Sequence, residues 1–341
     1  MIGSYATGAA TFGIAAIGVA VFTFARLPLP WLLGPMFGCL TAALLGIRLK
    51  GIPPVSNAMR TVLGIAVGAS ITPALVARLG DMALSIALVP PFVLAIGFAG
   101  YPYFRRVCGF DKATSFYAAM PGGLQDMLVF GEEAGGSPRI LSLIHATRVL
   151  VIVSVLPLVL SVAMSIDLDR PPGQAASAIP ISELILMLGL AAIGWALAVR
   201  IGLFGASILG PLILAAVASL TGFLNHRPPT EAILAAQFFI GMGVGVKYVG
   251  ITGHELQRVV GAGLGYCVIL AILSFIVVEI VIALGIAPPL DAILAFSPGG
   301  QAEMTVLAIV AGADIAFVVT HHLLRIVTVI LGAPIFFRYF A

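Results

Sequence analysis

Apolar runs of roughly 20 residues, separated by short clusters of Arg, Lys, Pro and Gly, make up almost the whole chain. A run of that length covers the ~30 Å hydrocarbon core of a bilayer as an α-helix. The pattern predicts spans at residues 5–25, 30–47, 57–77 and 82–104, with Arg26, Arg48 and Lys50, Arg78, and Arg105-Arg106 at their ends. An interrupted segment, 113–134, and a long span, 138–164, come next. After the most polar connection in the chain, 165–178 (SIDLDRPPGQAASA), the order repeats: spans at 179–199, 205–223, 230–250 and 259–284, an interrupted segment at 290–312, and a last span at 314–337. The expected organisation is a first membrane repeat, 1–164, a linker, 165–178, and a second membrane repeat, 179–341.

The two interrupted segments carry the repeat most clearly. ATSFYAAM-PGG-LQDM and LDAILAFS-PGG-QAEM align at a constant offset of 177 positions, which also pairs His145 with His322, Arg148 with Arg325 and Pro157 with Pro334. Across 118–157 there are eleven identities in 40 positions. Pro, His and Arg are rare inside apolar spans, so their recurrence means more than matches of Ala or Val. Pro removes a backbone donor and Gly permits non-helical dihedrals, so Pro121, Gly122, Gly123 and Pro298, Gly299, Gly300 predict helix breaks. Backbone groups freed at a break cannot face hydrocarbon; they line a cavity or are buried in protein. The breaks are therefore candidate binding sites.

Asp126 and Glu303 stand three residues after the last glycine of each break, where a carboxylate can cap free N–H groups or, as an ionisable group within a membrane, hold a coupling cation or proton. His145 and Arg148 are spaced i, i+3, as are His322 and Arg325, so each pair shares a helix face. The arginines can pair with Asp126 and Glu303 to hold a hairpin, or bind an anionic substrate beside a helix N-terminus. The histidines can carry protons or simply pack. His321 has Ile144 as its counterpart, and Arg60 has Gln237, so any site is not symmetric. Arg60 and Gln237 can contact ligand; Arg60 can equally snorkel to the interface, since it begins its span. Weaker repeat marks are Gly34-Pro35 with Gly210-Pro211, and Gly64 and Gly68 with Gly241 and Gly245; small residues four apart suit close helix packing.

Composition sharpens the class. The 341 residues are 61% hydrophobic and 9% charged, which excludes an ordinary soluble domain and leaves an all-α polytopic membrane protein. A net charge of +3 gives no argument for nucleic acid, and no basic n-region precedes the first span, which reads as retained rather than cleaved. Cys39, Cys108 and Cys267 lack metal or disulfide spacing and read as packing residues.

Orientation follows from the Lys and Arg positions outside the spans. If both interrupted segments cross the bilayer, 8 lie on the N-terminal side against 6; if both re-enter, 10 against 4. The second count favours about ten transmembrane helices, two re-entrant Pro-Gly-Gly segments, cytoplasmic termini and two inverted repeats. Inverted repeats with interrupted helices are an architecture of secondary transporters.

LLGP, MPGGLQDM and H-x-x-R in one half, with ILGP, SPGGQAEM and H-x-x-R in the other, resemble the duplicated AbrB-type bacterial inner-membrane family over nearly the whole chain. Members carry labels of transcriptional regulator or ammonia monooxygenase. Neither label suits these residues: there is no basic helix-turn-helix segment, and five His are spread over spans and loops rather than clustered as metal ligands. The resemblance implies a bacterial inner-membrane, multi-pass location.

The expectation is thus a secondary transporter, not an enzyme, for a small anionic organic solute, with its site between the two breaks. Na⁺ or H⁺ serves as coupling ion, and no other cofactor or bound metal is expected. Its partners are the solute and the lipid bilayer, with no nucleic acid and with a homodimer as an option. Two other readings stay open: a membrane-embedded metal-dependent enzyme with His145 and His322 as ligands, and a membrane sensor or regulatory scaffold whose breaks pack as a dry core.

Overall fold

A computed structural model describes residues 2–77, 80, 82–168, 171–203 and 205–340. Arg78, at the expected end of the third span, and Asp169 and Arg170 of the linker lie outside the described residues. The regular structure of the described residues is all helix, with no strand, as an apolar chain in lipid requires: a helix satisfies its own backbone groups. In the first half run α1 (Ile2–Phe24), α2 (Pro30–Leu44), α3 (Pro53–Gly68), α4 (Pro73–Ala77), α5 (Ala83–Ala87), α6 (Val89–Pro102), α7 (Lys112–Ala119), α8 (Leu124–Glu133) and α9 (Pro138–Ala163). The second half has α10 (Ile181–Arg200), α11 (Ala206–Leu220), α12 (Thr230–Gly245), α13 (Gly253–Glu255), α14 (Gly261–Ala283), α15 (Pro289–Phe296), α16 (Gln301–Ala311) and α17 (Ile315–Phe340). The chain is an all-α, multi-pass membrane protein.

Among the described residues, six stretches are long and apolar enough to cross a bilayer: 7–24, 83–107, 138–163, 181–200, 253–283 and 315–339. Four other expected spans are shorter. Helices α2, α3, α11 and α12 have 15 or 16 residues, about 23 Å at ~1.5 Å per residue. The third expected span, 57–77, stops at Gly68 and restarts as α4 at Pro73. The cause is Pro73, which disfavours helical dihedrals at Thr72 and lacks a backbone donor. Pro102 acts similarly at the end of α6, where the helix widens into a π turn, Tyr103–Val107.

The chain forms two compact units, and each draws on both sequence halves. The first comprises 1–79, 157–250 and 302–316. Within it α1 packs on α2 and α10 on α11, while α3 packs on α11 and α12 on α2, so the halves exchange their third helices. Glycines make these crossings. A Cβ on Gly64 would strike the Ile208 carbonyl and one on Gly68 the Leu212 carbonyl; Gly241 and Gly245 stand in the same relation to the carbonyls of Leu32 and Met36. Gly18 against Gly34 and Gly194 against Gly210 bring the remaining backbones together. The glycine pairs are packing residues, because only a missing side chain lets backbones approach so closely. A buried apolar cluster of Ile65, Met187, Ala215 and Leu224 completes this part of the core.

The second unit comprises 80–156, 251–301 and 317–341. Here α6 packs on α7 and on α14, and α14 packs on α15. Phe92 of α6 meets Phe296 of α15 edge to face, with ring centroids 5.7 Å apart. At the polar edge, Arg139 at the start of α9 bonds Glu255 of α13 at 2.9 Å.

Candidate functional site

The two helix interruptions are built alike. Helix α7 opens on Asp111, whose side chain accepts the Thr114 N–H at 2.8 Å. It ends at Ala119, because Pro121 forces Met120 into extended backbone (φ −75°, ψ 130°). Gly123 is also extended (φ −65°, ψ 141°), and α8 starts after it. In the second copy α15 ends at Phe296, Ser297 is extended (φ −73°, ψ 125°) ahead of Pro298, and α16 starts at Gln301. Gly122 and Gly123 are not in the left-handed region. They supply space: a Cβ at 122 would lie 2.8 Å from Met127 Cε, and one at 123 would strike Asp126 Oδ2.

A helix that stops inside the protein leaves carbonyls without partners. The long helices α9 and α17 supply donors to them. His145 Nε2 lies 3.1 Å from the Tyr117 carbonyl, while Arg148 donates to the carbonyls of Met120 (3.2 Å) and Gly122 (2.9 Å). In the second copy His322 Nε2 lies 2.9 Å from the Leu294 carbonyl, and Arg325 donates to the carbonyls of Ser297 (2.9 Å) and Gly299 (2.8 Å). Separations along the chain, 28, 28 and 26 residues, are the same in both copies. A carbonyl only accepts, so Nε2 of each histidine carries the proton. The i, i+3 spacing thus places one donor at the last turn of the stopped helix and a two-pronged donor at the extended residues beyond it. Both His and both Arg are almost completely buried.

Some capacity remains unused. Nε of Arg325 and Nδ1 of both His145 and His322 are buried without hydrogen-bond partners. Arg148 and Arg325, with their histidines and both Pro-Gly-Gly stretches, belong to the second unit.

Asp126 sits in the first turn of α8, with its carboxylate turned back on Gly123, the geometry of a residue that reaches toward its own helix start. Glu303 occupies the same place in α16 and is buried, at 8% exposure, in the first unit. Arg60 and Gln237 are also in the first unit, on α3 and α12. Gln237 is 2% exposed with Nε2 unpartnered, and Arg60 is partly buried with Nε unpartnered.

One residue escaped the sequence reading. Tyr266 of α14, fully buried, donates its hydroxyl to the Ala119 carbonyl, so a helix of the second half completes the break of the first. The available signal was a phenol in a 23-residue helix otherwise almost free of polar groups. His321, buried between the Phe296 and Phe317 rings, bonds the Phe317 carbonyl at 2.7 Å through Nδ1. Among the described residues no three His, Cys, Asp or Glu side chains come together as metal ligands, and Nε2 of His145 and His322 face carbonyls.

Comparison with known proteins places this arrangement in a family. The family described as Transition state regulatory protein AbrB matches residues 5–341. YhjN of Bacillus subtilis (strain 168) is 26% identical over 353 aligned positions, covering 95% of this chain and 91% of YhjN. A protein of Escherichia coli (strain K12) that bears the name of a regulator, AbrB, is 22% identical over 326 positions, covering 93% of this chain and 92% of its own length. No solved structure matches the chain. Because the match runs from residue 5 to residue 341 and takes in both Pro-Gly-Gly stretches, the chain belongs to the AbrB family.

Proposed function

We propose that the protein is a secondary transporter of the bacterial inner membrane for a small anionic organic solute, coupled to H⁺ or Na⁺, with its site at the two Pro-Gly-Gly interruptions. The observation that carries the reading is the twice-built break: two stopped helices in one compact unit, each with its carbonyls held by a buried His and Arg at the same separations. A fold gains nothing for stability from breaking a helix in an apolar environment, since each freed backbone group must then find another partner. Doing so twice supports a role in binding.

The arginines support an anion. Both guanidinium groups are buried, a guanidinium matches the geometry of a carboxylate, and Nε of Arg325 is an unused donor. The carboxylates at the restarted helices, Asp126 and Glu303, are the candidates for the coupling ion. On the inverted orientation favoured by the charge count, the repeats exchange roles as access alternates.

Purified protein should be screened with mono- and dicarboxylates for thermal stabilisation, with and without Na⁺ and at two pH values, because a ligand that binds only the folded state raises its apparent stability. Hits are then followed as gradient-driven uptake into proteoliposomes. Absence of both ion-dependent stabilisation and uptake across the panel would refute the reading.

A further inference from the structure

We propose a second ligand site in the first unit: a cavity of about 250 Å³ around Gln237 that takes a small, uncharged polar solute, independent of the Pro-Gly-Gly site and of the transport reading. Two polar atoms in its walls are unpaired. Gln237 Nε2 and Thr230 Oγ1 are both buried without a hydrogen-bond partner. They lie seven residues apart on α12, two turns along one face. Buried polar atoms in native proteins are nearly always paired, so two orphans on residues that line one cavity mark a place where an occupant can supply the bonds.

The walls define that occupant. Besides the two polar side chains they are apolar, with Trp31 and Pro30 from the start of α2, Leu234 of α12, and Pro171 and Pro172 from the linker. Among the described residues lining it none is charged, and an ion taken from water into such a place would be costly to desolvate. The volume far exceeds what one water needs, ~10–15 Å³ of probe space, and falls just short of the ~300 Å³ at which drug-sized pockets begin. An amide or alcohol of a few heavy atoms suits the space, with its oxygen bonded by Gln237 and Thr230 once these side chains turn toward it and its alkyl part against Trp31.

The linker wall is fastened in place. Thr230 donates its N–H to the Gln174 carbonyl at 2.8 Å, and Ala176 donates to Glu231 Oε2 at 3.1 Å, so residues 171–176 are stitched to the first turn of α12. The repeat supplies no matching cavity chemistry in the other half: Arg60 stands in place of Gln237 and Pro53 in place of Thr230.

Trp31 is a built-in reporter, since the chain has only one other tryptophan, Trp195. Full-length Trp195→Phe protein in detergent should be titrated with propionamide and with 1-propanol while Trp31 emission is recorded. The expected result is a saturable change that Gln237→Leu abolishes and Gln237→Asn weakens at least several-fold, with melting temperatures of the variants near that of the parent. A response that is linear in probe, or unchanged in Gln237→Leu, would show solvent perturbation only and overturn the proposal. Should Gln237→Leu fail to fold, Thr230→Val removes the second polar atom and must reduce the response. If it does not, the cavity holds water alone and the proposal fails. None of these outcomes depends on whether the Pro-Gly-Gly site transports an anion.

Discussion

Replacing Arg325 by Met tests whether the buried arginines hold the helix breaks. Met keeps the length and the apolar stem but removes both donors, leaving the carbonyls of Ser297 and Gly299 without the bonds now made at 2.9 and 2.8 Å. Hydrogen bonds to charged groups contribute about 1.5–3 kcal/mol each. The pair therefore amounts to about 3–6 kcal/mol before relaxation, offset by whatever it costs to bury the guanidinium. Against a typical folding stability of about 5–15 kcal/mol, that is a large fraction. Arg325→Lys has one compact donor group and should keep about half. The assay is chemical unfolding in detergent together with amide exchange of residues 297–301. The expected order of stability is wild type, Lys, Met, with exchange accelerating first at 299–301, where α16 restarts. If Arg325→Met unfolds like wild type and its exchange is unchanged, water or local rearrangement satisfies those carbonyls and the structural account of the arginine is wrong.

Gly64→Val and Gly241→Val should each destabilise by about 1–3 kcal/mol or more by driving a side chain into a neighbouring backbone, whereas Gly189→Val, which meets nothing within 4 Å, should be nearly neutral; thermal unfolding distinguishes them. Tyr266→Phe removes one donor from the Ala119 carbonyl and should cost about 1 kcal/mol, with faster exchange around residues 119–123 as the local readout. Asp126→Asn and Glu303→Gln keep the hydrogen-bonding shape of a cap and lose the charge; folding should be nearly unaffected while ion-dependent ligand stabilisation disappears, and full retention of that dependence would make both carboxylates caps. For the inverted orientation, a cysteine at Ser177 and one at Arg338, in a background lacking Cys39, Cys108 and Cys267, should react with an impermeant thiol reagent from opposite sides of the membrane; reaction from the same side excludes it.

What could be read in the sequence was whatever is expensive in an apolar helix. The Pro-Gly-Gly stretches, the His and Arg pairs and the doubled glycines stood out because each violates a rule of apolar helices, and all prove to sit where backbone meets backbone or where a carbonyl needs a donor. Their partners could not be read. Nothing in the spacing of Arg148 told whether its donors go to a carboxylate or to the Met120 and Gly122 carbonyls, because a backbone carbonyl leaves no mark in the sequence. Helix ends were mislaid for a similar reason: α3 stops at Gly68 and α12 at Gly245, although apolar residues continue past both points. The grouping of helices was hidden too, since α3 crossing on α11 and α12 on α2 ties together residues more than 140 positions apart, a pairing that no local periodicity encodes.

The repeat also divides the chain's polar residues into two kinds. Those the halves share, Pro-Gly-Gly, His145 with His322 and Arg148 with Arg325, make the same bonds to the same backbone atoms in both copies, so they build the breaks and cannot by themselves make one differ from the other. If the breaks bind a solute as proposed, selectivity would come from the positions where the copies part. Met120 is replaced by Ser297, which places a hydroxyl at the break, and Ile144 by His321. Tyr266, which closes the first break, has Val89 as its counterpart, so the second break lacks that phenol. A solute held near both breaks would therefore meet two equal sets of arginine donors but unequal neighbours. Exchanging Met120 and Ser297 should change which solute binds, rather than whether the protein folds.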